Sequence, residues 1–302
     1  MLLRNTADIR TLFFMAITTG LLVLNWSLDQ FHWVPFLAAC FMAVSVTTMA
    51  HNHNHLQMWK HKTLNVLQDY WLTLFYGFPV FVWIPTHNKN HHRYNNREGD
   101  HTLTYRVSES NNLLTLLSYP TISSFFQQGA IKDYMATMWK KRKSRFFYGF
   151  SQFVLLAAFV GVALWIDWQK ALLYIVIPQQ VGLFSVLMFN YLQHVHADEE
   201  SEWNHSRNFV GKVLNFFLHN NGYHTIHHES PGLHWSELPE AHEEIADKID
   251  DRLIERSFWW FMFRQYILGI FFPSLRTKSM RLERLEREQQ EASGDGPVAS
   301  PA

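Results

Sequence analysis

Four apolar runs, arranged as two close pairs, set the terms on which this chain can fold. Thr11 to Leu28 and Trp33 to Ala50 form the first pair, and Phe146 to Ile166 and Ala171 to Phe189 the second. Each is about 18 residues or a little more, near the length at which an α-helix crosses roughly 30 Å of hydrocarbon. The first pair is apolar on every side, without the polar stripe that a helix on a soluble core would carry, so lipid is the better solvent for it. Ser27 to His32 and Asp167 to Lys170 are short enough to make each pair a hairpin, with Trp26 and Trp33 where an aromatic belt would lie. The expected fold is therefore all-α and integral to the membrane, with four transmembrane helices as two hairpins beneath a histidine-rich helical cap.

The histidines define that cap. The chain has 18 of them in 302 residues, and they recur at ligand spacing. His51 and His55 are four apart; His87, His91 and His92 stand at i, i+4 and i+5; His224, His227 and His228 stand at i, i+3 and i+4. Residues three and four apart are neighbours on a helix, so each set can turn its imidazoles toward one point or two close points. A fourth cluster, Asn190 to His194, ends the last long apolar run. One such cluster alone reads equally as an exposed His-rich turn, but their recurrence favours a metal site. Eight histidines, with His194 as a ninth, are too many for one ion and suit two. Imidazole accepts iron, zinc, copper or nickel. A neutral, nitrogen-rich shell with few carboxylates fits a di-iron centre that reacts with dioxygen. Zinc hydrolysis fits less well, since three protein ligands suffice there and a helical His-Glu-x-x-His pair is missing.

Shared metal ligation also constrains topology. Val66 to Ile84 is long enough to be scored as a third span, but one crossing there would put His51 and His55 on the opposite side from His87, His91 and His92. With Asp69 and the Gly77-Phe78-Pro79 break, it is read as an interfacial segment. His101 to Arg145 turns polar and ends in the cations Lys140, Lys141, Arg142, Lys143 and Arg145. The short connections carry only Lys170, so the positive-inside rule places both termini and every histidine cluster in the cytoplasm, of a multi-pass protein that in a bacterium sits in the inner membrane. Gln179 and Gln180, after Pro178, are read as satisfying backbone groups, with the end of an apolar tunnel as the alternative. Ser257 to Pro273, aromatic-rich but bearing Arg264, is read as an interfacial helix and Arg281 to Gln290 as a charged helix. Residues 1–290 make one membrane domain and residues 291–302 a disordered tail. The single cysteine, Cys40, excludes an internal disulfide and an all-cysteine iron–sulfur cluster. The first run lacks a cleavage site for a signal peptide. Balanced charge gives no nucleic-acid signature.

His51-x3-His55, His87-x3-His91-His92 and His224-x2-His227-His228 resemble the three histidine boxes of the membrane fatty acid desaturase superfamily, in that family's order and interleaved with its two hairpins, over roughly Thr11 to His242. Asn190-x3-His194 is similar to the additional metal-side segment of acyl-CoA desaturases, which implies His194 as a ligand and Asn190 as a residue that approaches the metal through water. The resemblance implies two iron ions, dioxygen as co-substrate, a lipid or acyl-chain substrate, and two electrons from a separate donor such as ferredoxin or cytochrome b5. Hydroxylases and ketolases of alkyl, acyl or carotenoid substrates share such boxes. The alkane-hydroxylase pattern differs in having a His-Glu pair in the first box and a Glu before the late histidine, where this chain has Asn52 and Gln193. The remaining histidines, among them His53, His61, His101, His196, His205, His219 and His234, are read as orienting ligands or lying at the surface. Asp100 and Asp198 are possible acceptors for imidazole N–H but, as loop aspartates, are expected to be solvated. A non-enzymatic metal carrier would line its spans with ionisable or ligating groups, and these spans contain almost none.

Overall fold

A computed structural model describes residues 2–293, and helices make up most of it. Among the described residues, the strands are Asn208–Phe209 and Ile254–Glu255, paired in parallel, with one isolated antiparallel bridge between Leu3 and Trp59. Six long helices form the frame: α1 (Ile9–Ser27), α2 (Trp33–His55), α3 (Lys62–Tyr76), α4 (Leu113–Lys141), α5 (Lys143–Ile166) and α6 (Trp168–His194), the last with a π-helical turn at Leu172–Val176. Four of them, α1 with its preceding turn, α2, α5 and α6, are long and apolar enough to cross a membrane. They are the four runs of the sequence, and the chain is a multi-pass membrane protein.

α1 packs against α2, and Asn25, fully buried, closes their turn by donating to the carbonyls of Leu21 and Pro35 at 2.9 and 3.0 Å. α2 outruns its apolar stretch by five residues and carries His51 and His55 on its last turns. Its buried Thr47 and Thr48 donate to the carbonyls three residues back, so neither hydroxyl is left unpaired in the core. α2 and α6 pack together and bring their C-terminal ends to the same place, where His194 is the last residue of α6.

The segment around Val66 to Ile84 is broken as its glycine and proline require. α3 has 15 residues and stops at Gly77, whose φ of 79° is left-handed. A 3-10 turn at Val80–Val82 follows, then a π-helical stretch at Ile84–His91 that continues into the α-turn His92–Tyr94. The Gln152 side-chain carbonyl on α5 accepts from Thr73 Oγ1 and Phe81 N, tying this break to the bundle.

The polar stretch from His101 to Arg145 conceals a 29-residue helix, α4. Ser123, Ser124, Gln127 and Gln128 interrupt its apolar period. Its start is fixed by a reciprocal cap in which Asn112 accepts from Thr115 N at 3.0 Å and Thr115 Oγ1 accepts from Asn112 N at 2.9 Å. The helix packs on α6 through Leu116 and Tyr119 against Tyr191 and Leu192.

Phe258–Phe263, Arg264–Leu268 and Gly269–Phe271 make one aromatic-rich helical stretch, too short to count among the four spans. Trp259, Phe263 and Phe271 are exposed, whereas Phe261 and Tyr266 enter the core; Arg264 pairs with Glu255 at 2.5 Å. Two short elements complete the positioning of the site: α7 (His224–Glu229) and α8 (Met280–Ser293). Arg281 and Arg284 of α8 clasp Asp198 and Glu199 in the loop that follows His194. Glu291 to Ser293, expected in the tail, are the end of α8; the rest of that tail, residues 294–302, lies outside the described residues.

Candidate metal centre

Nine histidines converge at the ends of α2 and α6, and they do so as two adjacent cages. His51, His55, His87, His92 and His227 form one, and His91, His194, His224 and His228 the other; within each, one nitrogen per ring lies within 4.8 Å of all the others. All nine are those picked out by spacing. Neighbours in sequence divide between the cages: His91 and His92 face different cages, as do His227 and His228. The π-helical stretch accounts for the first division. Its wider turn brings His87 and His92, five apart, together at 3.0 Å between Nε2 atoms and leaves His91 to point elsewhere. In α7 the ordinary i, i+4 relation pairs His224 with His228 at 3.1 Å. Helix begins only at His224; His219 and Asn220 have left-handed φ values of 47° and 58° in the approach to it.

Three of the rings are aimed inward by a bond to their outer nitrogen. His91 Nδ1 donates to Asp100 Oδ2 at 2.8 Å, His194 Nδ1 to the His205 carbonyl at 3.1 Å and His51 Nδ1 to Asn52 Oδ1 at 3.2 Å. Each such bond puts the proton on Nδ1 and leaves Nε2 as a bare lone pair. His91 Nε2 is buried without a hydrogen-bond partner, as is His55 Nε2. Within each cage, Nε2 atoms approach one another, at 2.8 Å between His51 and His87 in the first and 2.9 Å between His194 and His224 in the second. Convergent lone pairs in a buried site fit a metal ion as Lewis acid, and an all-imidazole set suits iron, zinc, copper or nickel. Burial, reinforced by neighbouring imidazoles, holds His87, His224, His227 and His228 well below the usual histidine range, so these rings are neutral and ready to ligate near pH 7.

The surroundings hold these rings in place. Asp100 is 1% exposed and accepts from His91, from the backbone of Asn96 and from both the backbone and hydroxyl of Thr102. It is therefore an acceptor for imidazole N–H and not a solvated loop residue. Burial would raise its pKa, but His91 and the Thr102 donors hold it well below the ordinary carboxylate range. Asp198, the other aspartate singled out by sequence, pairs with Arg284 at 2.7 Å instead of with a histidine. Arg207, fully buried and unremarked in the sequence, caps the end of α6 by donating to the carbonyls of Leu192 and Val195 at 2.8 and 3.0 Å. Its charge suits the negative end of the helix that carries His194.

The other histidines are mostly not at the surface. His53 faces Asp69, His234 faces Asp8 at 3.2 Å, and His196 is tied to Thr277 and the Glu109 carbonyl. His205 and His219 are wholly enclosed, the latter between the rings of Phe14 and Trp235. Among the described residues Asn190 makes no hydrogen bond to a histidine; its Nδ2 donates to Tyr119 OH at 2.8 Å, and that hydroxyl donates to the Thr102 carbonyl. Of the two glutamines after Pro178, Gln179 donates to the Leu74 carbonyl at 2.7 Å, whereas Gln180 lines a cavity.

That cavity, about 570 Å³, runs from the histidines between α4 and α6. His51, His87, His91 and His224 stand at its buried end, and Leu183, Val186, Leu187 and Phe189 supply apolar wall. A family model described as fatty acid desaturase matches residues 31–261, more than two thirds of the chain. The chain belongs to the fatty acid desaturase family. Comparison with curated proteins and with solved structures gave no match. Membership implies an oxidoreductase acting on fatty acyl chains at a membrane, and this desaturase-family protein has the histidine clusters expected of a metal centre, typically di-iron in the family.

Proposed function

We propose that the protein is a fatty acyl desaturase in which the nine caged histidines hold two irons, one per cage. The reading rests on one observation: two neighbouring all-histidine cages close the buried end of an apolar, chain-sized cavity. The irons would supply the oxidising power of bound dioxygen, with two electrons from a separate donor such as ferredoxin or cytochrome b5. In balance, a –CH2–CH2– pair, dioxygen, two electrons and two protons give –CH=CH– and two waters.

The chain's own contribution is binding and aim. Leu183, Val186 and Leu187 grip methylenes and exclude water, while Trp83 and Thr86 line the slot beside His87. Holding two adjacent methylenes in register favours loss of a second hydrogen over return of oxygen to the first carbon, and small misplacement is expensive in rate. Asn190, tethered to Tyr119 and lining the cavity, would hold a water toward the cage of His91, His194, His224 and His228.

The four spans are proposed to cross as two hairpins, with both termini and the histidine cap in the cytoplasm. A reporter after Ala302 and one near Arg106 should both read cytoplasm and one at Asp29 the far side; disagreement between the first two overturns the four-span topology. For the reaction, mass spectrometry of the acyl product should show a loss of two hydrogens that requires dioxygen and reductant. A dominant product heavier by one oxygen assigns a hydroxylase instead. His91→Ala and His228→Ala should abolish turnover without preventing membrane insertion.

A further inference from the structure

The cavity is graded along its length. Its inner end is enclosed, with His91 at 1% exposure and Thr86 and Thr102 buried beside it. Its outer end is open between two helices, where Thr121 and Gln128 of α4 and Gln180 and Phe184 of α6 are exposed. α6 is one of the four spans, and α4 shows Leu114, Leu117 and Phe125 on its outside, so the opening is flanked by apolar surface on both sides. A mouth of this kind faces lipid acyl chains more than water.

The chemistry of the lining is equally uneven. Among the described residues it contains no Lys, Arg, Asp or Glu. Its outer polar groups are hydroxyls and carboxamides: Thr121, Ser124, Gln127 and Gln128 along one face of α4, and Gln180 opposite. An ionised carboxylate drawn into such a cavity would lose its hydration without meeting a cation, a cost of several kcal/mol or more. A carboxamide N–H can still donate to an uncharged carbonyl. A soluble carrier whose phosphates the protein itself must bind, such as coenzyme A, would need Lys or Arg at the mouth, whereas a lipid's headgroup stays among its neighbours in the bilayer. Lys132 lies one turn beyond Gln128 but outside the lining, and the run from Lys140 begins twelve residues beyond Gln128, about 18 Å by helix rise.

We infer that the substrate is the uncharged, ester-linked acyl chain of a membrane lipid, which enters sideways from the bilayer between α4 and α6, its ester carbonyl held by the carboxamide of Gln128 on α4. This rests on the reading of the cavity as the acyl slot. The chain end then reaches inward toward the cages, while the headgroup stays at the bilayer, outside the cavity.

The test uses metal-free full-length protein in detergent micelles and a phosphatidylcholine whose acyl chain carries a photoreactive diazirine. Cross-links should map to cavity residues of α4 and α6. Unlabelled phosphatidylcholine should displace the probe, and stearate or stearoyl-CoA should not. Gln128→Leu should weaken labelling about fivefold, the loss of one modest hydrogen bond, whereas Lys132→Ala should leave it unchanged. Displacement by stearoyl-CoA or stearate at or below the phosphatidylcholine concentration, loss of labelling in Lys132→Ala, or cross-links outside the cavity would each overturn the inference; competition on the wild-type chain needs no variant to fold. Because neither metal nor turnover is read, a hydroxylated product would sink the desaturase reading and leave this one standing, and displacement by stearoyl-CoA would do the reverse.

Discussion

Replacing Asp100 with Asn changes one atom and should separate the two cages. The carboxylate receives four donors: His91 Nδ1 and Asn96 N on Oδ2, and Thr102 N and Oγ1 on Oδ1, at 2.7 to 2.8 Å. An amide can keep only one of these faces as acceptor. If its NH2 turns to Thr102, two donors collide with it. If it turns to His91, the imidazole is driven to place its proton on Nε2, the nitrogen aimed into the cage. Two hydrogen bonds to a charged group are lost either way, roughly 1.5–3 kcal/mol each, so the site is weakened by about 3–6 kcal/mol. Partners of this kind typically change metal affinity by about 10–100-fold. The effect should fall on the cage of His91, His194, His224 and His228 and spare that of His51, His55, His87, His92 and His227. Titration of metal-free protein with ferrous iron, followed by elemental analysis after desalting, should find about two irons in the wild type and close to one in Asp100→Asn. An Asn variant that keeps two irons at wild-type affinity would refute the tautomer argument.

Two further outcomes follow from the same packing. Gly222→Ala would place a Cβ on the Phe209 carbonyl oxygen and 2.7 Å from Asn215 Oδ1, which pins the loop into α7; a loss of about 3 kcal/mol or more is expected, read as a lowered Tm and reduced iron content, and an unchanged Tm would refute it. His219 is enclosed with both ring nitrogens unpaired, and burial, with Arg10 nearby, pulls its pKa down to about 3. Its folded value lies below the unfolded one, so the unfolded chain takes up the proton first. Stability from this group is full above pH 6.5 and is lost as pH falls toward 3, by up to about 1.4 kcal/mol per pH unit. His219→Phe should flatten the Tm–pH curve between pH 6 and 4 by about one proton's worth, and a curve parallel to the wild type would remove His219 as a source of acid sensitivity.

The spans and the nine caged histidines were legible in the sequence because each obeys a local rule: length against bilayer thickness, and ligand spacing against helix pitch. The division into cages was not, because it depends on a π-helical stretch whose identity lies in backbone hydrogen bonding, not composition. α4 escaped notice since the side chains that make the cavity's polar wall also disrupt its apolar period. The burial of His205 and His219, and the cap that Arg207 places on α6, arise from residues distant in sequence: His219 packs on Phe14, some two hundred positions away. Asp100 carried only the weak signal of an aspartate nine residues beyond His91.

Two dipeptides, His91-His92 and His227-His228, each send one ring to either cage, and the rings of His92 and His228 lie against each other at 4.5 Å. The partition between the two cages is thus a pair of covalent struts, each a single peptide unit that helix breathing cannot stretch. Bending of α2 or α6 can tilt or squeeze a cage, but it cannot draw the pair apart. Shifts of the lipid-facing helices therefore leave the spacing of the two histidine cages fixed.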